Sequence, residues 1–235
     1  MSSVKISGLF LFVSLLGLVS CGGSGGGSGS SASNPVRQKE EDKIKHYQAV
    51  LKPLNPETTS QTAGVVMIRV DGDEFEVQQT VTEAPGGVRH FQAIMSGKSC
   101  AAIDENADGY IDLAEGSKVF GKRLVPLDSN LDSQLEGIDF GPIANEANAY
   151  IYNRHTSVSK LLSDLTALDP DEQDDLMKLN SDKDLTLSKR IVVIMGTNRD
   201  LPETVSGNGT YSAAEGLPIA CGELAPMKNE DVVIE

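Results

Sequence analysis

The residues of this chain best suited to chemistry are the oxygens of one twelve-residue run, Asp104 to Glu115, which reads DENADGYIDLAE. Counted from Asp104, positions 1, 3, 5, 9 and 12 are Asp104, Asn106, Asp108, Asp112 and Glu115, and position 7 offers the Tyr110 carbonyl. A series of six oxygens at that spacing suits a hard cation with a flexible shell of six to eight ligands, which is calcium. Gly109 falls at position 6, where the chain must turn sharply, and Ile111 at position 8 is placed to anchor the loop inward. The bland alternative is a solvated acidic turn.

The match to the D-x-[DN]-x-[DN]-G-x5-E pattern of EF-hand loops is complete, but its flanks depart from that motif. Ser96-Gly97-Lys98-Ser99 makes a poor entering helix, and Gly116 stands where an apolar residue would continue an exit helix. The expectation is a calcium loop set inside a β-domain, where the ion braces structure and does not signal. Other chemistry fares worse. No serine or cysteine nucleophile has a histidine partner in reach of the sequence pattern, and no G-x-S-x-G elbow occurs. Asp182, Asp184, Thr186 and Ser188 alternate oxygens like a second cation loop but lack its glycine and terminal glutamate. Net charge is −14 and tryptophan is absent, which argues against nucleic acid as a partner and favours cations.

The elements that must position this loop read mostly as short strands. Gly64 to Val70 is apolar and β-branched, Phe75 to Val81 alternates, and Asp71-Gly72-Asp73 between them predicts a β-hairpin. Val88 to Met95, Arg123 to Leu127, Ala149 to Arg154, Ile191 to Met195 and Pro218 to Leu224 add strand candidates, so the fold class is mostly β, an antiparallel sandwich or barrel. Two segments read as helical. Pro35 to Leu51, stopped by Pro53, predicts an N-terminal helix over residues 35–53. Leucines at a helical period over 158–180, with Asp169-Pro170 as a cap, predict a short helical insertion.

The first twenty residues have a positive start at Lys5 and an apolar run from Ile6 to Val19, too short to span a bilayer and suited to a signal peptide. Leu18-Val19-Ser20-Cys21 resembles the lipobox of bacterial lipoproteins. That resemblance implies cleavage before Cys21, its lipidation with acyl chains such as palmitate, and a protein held on a membrane of the cell envelope. Gly22 after the cysteine resembles outer-membrane sorting. Residues 21–34 then form a Gly/Ser linker. With Cys21 assigned to lipid, Cys100 and Cys221 remain in a compartment where disulfides persist, and a bridge between them is expected, with two buried free thiols as the alternative.

Residues 54–226 read as the β-domain, ahead of a tail over 227–235, and within it several stretches from Gly64 to Leu224, the helical insertion left out, are similar to the copper/zinc superoxide dismutase family. Gly64 to Val81 resembles the family's opening hairpin, His90-Phe91-Gln92-Ala93-Ile94-Met95 its H-G-F-H-[IV]-H strand, and Arg190 to Met195 its R-x-[VI]-V-[VI]-H strand. Asn208-Gly209 with Ile219-Ala220-Cys221-Gly222 resembles its G-N-x-G…A-C-G ending, whose cysteine bridges in the family to a loop cysteine at the place of Cys100. The resemblance implies a Greek-key β-sandwich. It also removes the enzyme, because the copper positions after His90 are Ala93 and Met95, the later one is Met195, and the chain has only His46, His90 and His155. Thioethers with one imidazole would suit copper(I), so His90, Met95 and Met195, with Met67 in reserve, form an alternative copper set; methionine filling a gap left by lost ligands is the plainer account. The expectation is a non-enzymatic, calcium-binding envelope lipoprotein with a structural or interaction role, against the alternative of copper handling by a decayed dismutase-like protein.

Overall fold

Side-chain alternation, period two, shapes the longer strands of this chain. The computed structural model describes residues 44–55, 61–131, 141–166, 185–207 and 211–228. The expected signal segment, Cys21, the linker, the first part of the expected N-terminal helix, the later part of the helical insertion and most of the tail lie outside the described residues.

Among the described residues the strands are β1 (Lys45–Pro53), β2 (Ala63–Asp71), β3 (Glu74–Thr82), β4 (Phe91–Met95), β5 (Arg123–Pro126), β6 (Tyr150–Ser157), β7 (Ile191–Met195), β8 (Pro218–Glu223) and β9 (Ala225–Met227). They join in one sheet of order β5-β4-β7-β8-β1-β2-β3-β6, with β9 added on β1, and every strand pairing is antiparallel. The sheet curls into a half-barrel. The expected β2–β3 hairpin forms, with Asp71 opposite Glu74 and Gly72 supplying a positive φ of 59° at the turn. Phe75, Val77, Gln79 and Val81 point inward and are buried, as their alternation requires.

Residues 45–53 overturn the expected N-terminal helix. Tyr47, Ala49 and Leu51 are buried in strict alternation, and they sit opposite Ile68, Val66 and Gly64 of β2. A helix has little stability of its own in water unless an apolar face packs on something. Pairing with β2 along its length, and with β8 and β9 on its other side, gives this segment hydrogen bonds and burial as a strand instead.

Two apolar clusters lie on opposite faces of β4 and β7. Inside the curl, Ile94, Val192 and Ile194 pack with Val66, Ile68, Phe75 and Ile219. On the outer face Phe91, Ala93, Met95, Ile191, Val193 and Met195 pack with Phe120 and Cys221. Burial on both sides explains why β7 is a continuous apolar run and why β4 carries Gln92 as its single polar residue. A polar chain crosses the inner core: Gln79 Nε2 donates to Gln92 Oε1, which also accepts from the Tyr150 hydroxyl, and Gln92 Nε2 donates to the Leu127 carbonyl.

Three short α-helices, α1 (Leu113–Phe120), α2 (Val158–Thr166) and α3 (Ala213–Gly216), and a 3-10 turn at Leu187–Lys189 complete the fold among the described residues. α2 is the beginning of the expected insertion. Its start is fixed by the hairpin turn, where Asp73 accepts hydrogen bonds from the Ser159 N–H and hydroxyl.

Candidate metal centre

α1 corrects the expectation that Gly116 would prevent an exit helix. Asp112 caps it, accepting from the Glu115 N–H at 3.0 Å, and the Glu115 carboxylate accepts in return from the Asp112 N–H at 3.2 Å. Gly116 is tolerated because the Phe120 ring occupies the space beside it; a Cβ there would come within 2.5 Å of that ring. No helix precedes the loop, as Ser96 to Ser99 led one to expect. The unit is therefore loop followed by helix.

Within the loop the side-chain oxygens at positions 1, 3, 5 and 12 turn onto backbone N–H groups. Asp104 accepts from Asp108 at 3.2 Å and Gly109 at 2.8 Å, Asn106 from Asp108 at 2.9 Å, and Asp108 from Tyr110 at 2.9 Å. Glu115 Oε1 reaches back to the N–H groups of Glu105 and Asn106 at 2.7 and 3.1 Å, closing the ring from position 12 to positions 2 and 3. Two left-handed residues shape the turn, Ala107 at φ 58° and Gly109 at φ 90°. Burial opposes ionisation of Asp108, but hydrogen bonds from Thr204, the Tyr110 N–H and Asn106 outweigh it and hold the carboxyl below its usual range. Lys118 pairs with Glu105 outside the ring.

This donor set fits calcium by its chemistry: four carboxylates, one amide oxygen and one carbonyl on a loop with glycine at its turn. Its side chains are not drawn together as a cage. Among the described residues no cluster of three or more His, Cys, Asp or Glu side chains is close enough to enclose an ion. Two of the six donors, Asn106 and the Tyr110 carbonyl, fall outside those residue types. Glu115 also spends both oxygens on N–H donors, so binding requires it to exchange at least one of those bonds for the cation.

Three contacts outside the loop hold it, and sequence reasoning missed all of them. Asn55, buried and left-handed at φ 55°, gives Ile111 both hydrogen bonds a neighbouring strand would: its Oδ1 accepts from the Ile111 N–H at 2.7 Å and its Nδ2 donates to the Ile111 carbonyl at 3.0 Å. The same Nδ2 donates to the Pro218 carbonyl, tying position 8 to the start of β8. Ser206 donates its N–H and hydroxyl to Asp112 Oδ2 at 3.2 and 3.3 Å. Thr204 reaches Asp108. The only sequence signal was Asn55 itself, an amide residue of the kind that tolerates left-handed backbone. The expected disulfide is present: Cys100 bonds to Cys221 with Cα atoms 5.8 Å apart, and the Cys100 N–H donates to Glu223.

The alternative copper set does not assemble. Met95 and Met195 share the outer face of β4 and β7, whereas His90 stacks on Tyr150, with ring centroids 5.6 Å apart. Its Nε2 lies 3.0 Å from the Pro85 carbonyl and its Nδ1 3.4 Å from that of Met195. Both partners are carbonyls and accept, so each contact is a hydrogen bond donated by whichever ring nitrogen carries a proton. Burial lowers the His90 pKa, and these two carbonyls offset that only in part. Parity explains the separation, since residues 90 and 95 point to opposite faces of one extended chain. Met67 faces away from the core on β2 and accepts from Gln48 Nε2 at 3.5 Å.

Among the described residues no helix is long and apolar enough to cross a membrane. Neither the models of protein families nor the curated proteins yield a match to this chain.

Proposed function

We propose that this chain is a lipid-anchored protein of the bacterial cell envelope whose exported β-domain is braced by one calcium ion at Asp104–Glu115 and serves a structural or interaction role. Anchoring rests on the lipobox-like Leu18 to Cys21 and the Gly/Ser linker after it. Cys21 carries the lipid in this reading, and the outer membrane is its destination. The domain is a Greek-key sandwich of the superoxide dismutase type. That assignment is supported by the sequence resemblance, by the antiparallel β4–β7–β8 neighbourhood and by a bridge between Cys100 and Cys221 at the two family positions. Ala93, Met95 and Met195 stand at the family's copper positions, so the reading carries no dismutase chemistry.

One observation carries the calcium assignment. The loop presents all six oxygen donors in order, and its two ends are fixed independently, by the disulfide at Cys100 and by the Asp112–Glu115 cap of α1. Calcium that binds only the folded chain stabilises it by about 2.7 kcal/mol when free calcium is a hundred times Kd. For a chain of this size that raises Tm by about 5–10 °C. The test is thermal unfolding of the full chain in chelator and in millimolar calcium. Asp104→Asn with Asp108→Asn keeps acceptors for the loop N–H groups while removing two charges, so it should abolish the calcium-dependent rise and leave the chelator value nearly unchanged. A wild-type Tm indifferent to calcium would overturn the assignment.

A further inference from the structure

The Cys100–Cys221 bond lies on the outer side of the sheet, in the wall of an open groove of about 940 Å³. The groove follows β1 as it passes from β9 to β8. β9 pairs with His46, Tyr47 and Gln48, β8 pairs with Lys52 and Pro53, and the exposed Val50 between these pairings lines the groove. Gly222, which follows Cys221, also lines it and has no room for a side chain, because a Cβ there would stand 2.8 Å from the Val50 carbonyl. No side chain at position 222 covers the bridge. The two cysteines differ in burial: Cys221 is 2% exposed in the apolar cluster around Phe120, whereas Cys100 is half-buried. Thiol–disulfide exchange needs a thiolate to reach one sulfur, so bridges that solvent reaches are the labile ones.

The surroundings favour one direction of cleavage. Lys52 is the cross-strand partner of Cys221 in the β1–β8 pairing, and both line the groove. Side chains so opposed have Cβ atoms about 4.5–5.5 Å apart. An ammonium there stabilises the negative charge that develops on the Cys221 sulfur as it leaves. Glu223 brings the opposite charge but spends Oε1 on the Cys100 N–H at 3.2 Å. What the bond holds is a short stretch of chain. Before it, the Gly97 N–H donates to the Phe120 carbonyl; after it, Asn55 clasps Ile111. Between these two ties, residues 98–110 meet β8 through Cys100, by the bridge and by its N–H.

We propose that the Cys100–Cys221 bridge is a thiol–disulfide exchange site, opened by a dithiol that enters the groove, and that its opening releases residues 98–110 from β8 while the inner core stays folded. A thiolate of the dithiol attacks Cys100 Sγ, forming a mixed disulfide and expelling Cys221 Sγ as a thiolate that takes up a proton. The second thiol of the reductant, deprotonated in turn, attacks its own partner sulfur and expels the Cys100 thiolate, which also takes up a proton. Two electrons and two protons pass to the protein, and the reductant ends as its own disulfide. The test uses the full oxidised chain without denaturant and in chelator, which keeps it apart from the calcium reading. Reduction by dithiothreitol should stay first order in dithiol; a rate that levels off at the rate of global unfolding overturns the site. Glutathione, quenched with acid at early times and mapped on peptic fragments, should be found on Cys100; an adduct on Cys221 overturns the direction of attack. Lys52→Gln should slow reduction about threefold, and an unchanged rate overturns the part given to that cation. In the reduced chain, amide exchange should rise over residues 98–110 and stay slow in β2 and β3. Unchanged protection at 98–110, or loss of protection in β2 and β3 as well, overturns the local release.

Discussion

On their inner side, β4 and β7 face the rest of the curled sheet; on their outer side they face a loop and one short helix. The inner contact is apolar and continuous, with Ile94, Val192 and Ile194 against Phe75, Ile68 and Ile219. The outer contact is a smaller apolar cluster around Phe120, and its cover is also fastened at a few points: the Cys100–Cys221 bond, the Asn55 clasp on Ile111, the Ser206 contact to Asp112 and the Ser96–Gly97 contacts to the end of α1. Burial is graded and survives the loss of single groups. A cover that depends on a few points is weakened when one point is cut.

The largest expected effect comes from the covalent point. Replacing Cys100 and Cys221 together by serine frees a loop with a sequence separation of 121, and in the chain-entropy model this costs about 4–5 kcal/mol, much of the stability of an ordinary domain. The comparison makes a sharper demand than global loss. Amide hydrogen exchange in the double variant should rise first in residues 100–120 while β2 and β3 keep their protection. Equal acceleration in both regions would show that the cover and the core unfold as one unit.

That contrast also marks what could be read from the sequence. β3 was legible because Phe75, Val77, Gln79 and Val81 alternate with polar residues on a half-exposed strand, and a period of two has few other meanings. The donor positions of the loop were legible because ligand spacing is local. β1 was misread because Ile44, Tyr47 and Leu51 also satisfy a helical spacing, and only its pairing with Val66 and Ile68, far along the chain, decides between the two. The exit helix was misread because the worth of Gly116 depends on the Phe120 ring beside it. Asn55 was invisible for the same reason: its partner Ile111 is 56 residues away, and no local pattern announces a side chain that stands in for a strand.

Asn55 gives the intermediate test. Asn55→Ala leaves the Ile111 N–H and carbonyl without that partner and removes the tie to the Pro218 carbonyl. A buried polar group left unsatisfied costs about 1–3 kcal/mol, and water reaching a partly buried loop recovers some of it, so a net loss of about 2–3 kcal/mol is expected from urea unfolding. Asn55→Asp tests the donor end: it keeps an acceptor for the Ile111 N–H but sets a buried carboxylate against the Ile111 and Pro218 carbonyls, so it should cost at least as much as alanine. An aspartate variant as stable as wild type would show that the two donated bonds contribute nothing.

The smallest effect belongs to the inner side and runs on protons. His90 is fully buried against Tyr150, and desolvation holds its pKa below the ordinary 6.5, with the Pro85 and Met195 carbonyls offsetting this only in part. The unfolded chain therefore takes up a proton at this residue before the folded chain does. Its stabilising contribution is complete above about pH 6.5 and is lost as pH falls toward the lower folded value. Urea midpoints at pH 7.5 and 5.5 measure the decline. His90→Gln keeps a donor for the Pro85 carbonyl and removes the titrating ring, so the decline should be shallower in the variant, while the carboxylates common to both proteins cancel in the difference. The decline attributable to His90 should also be the same in calcium and in chelator, because this ring lies on the face that the loop does not touch. A calcium-sensitive difference would mean that the two faces of β4 and β7 are coupled through the strands.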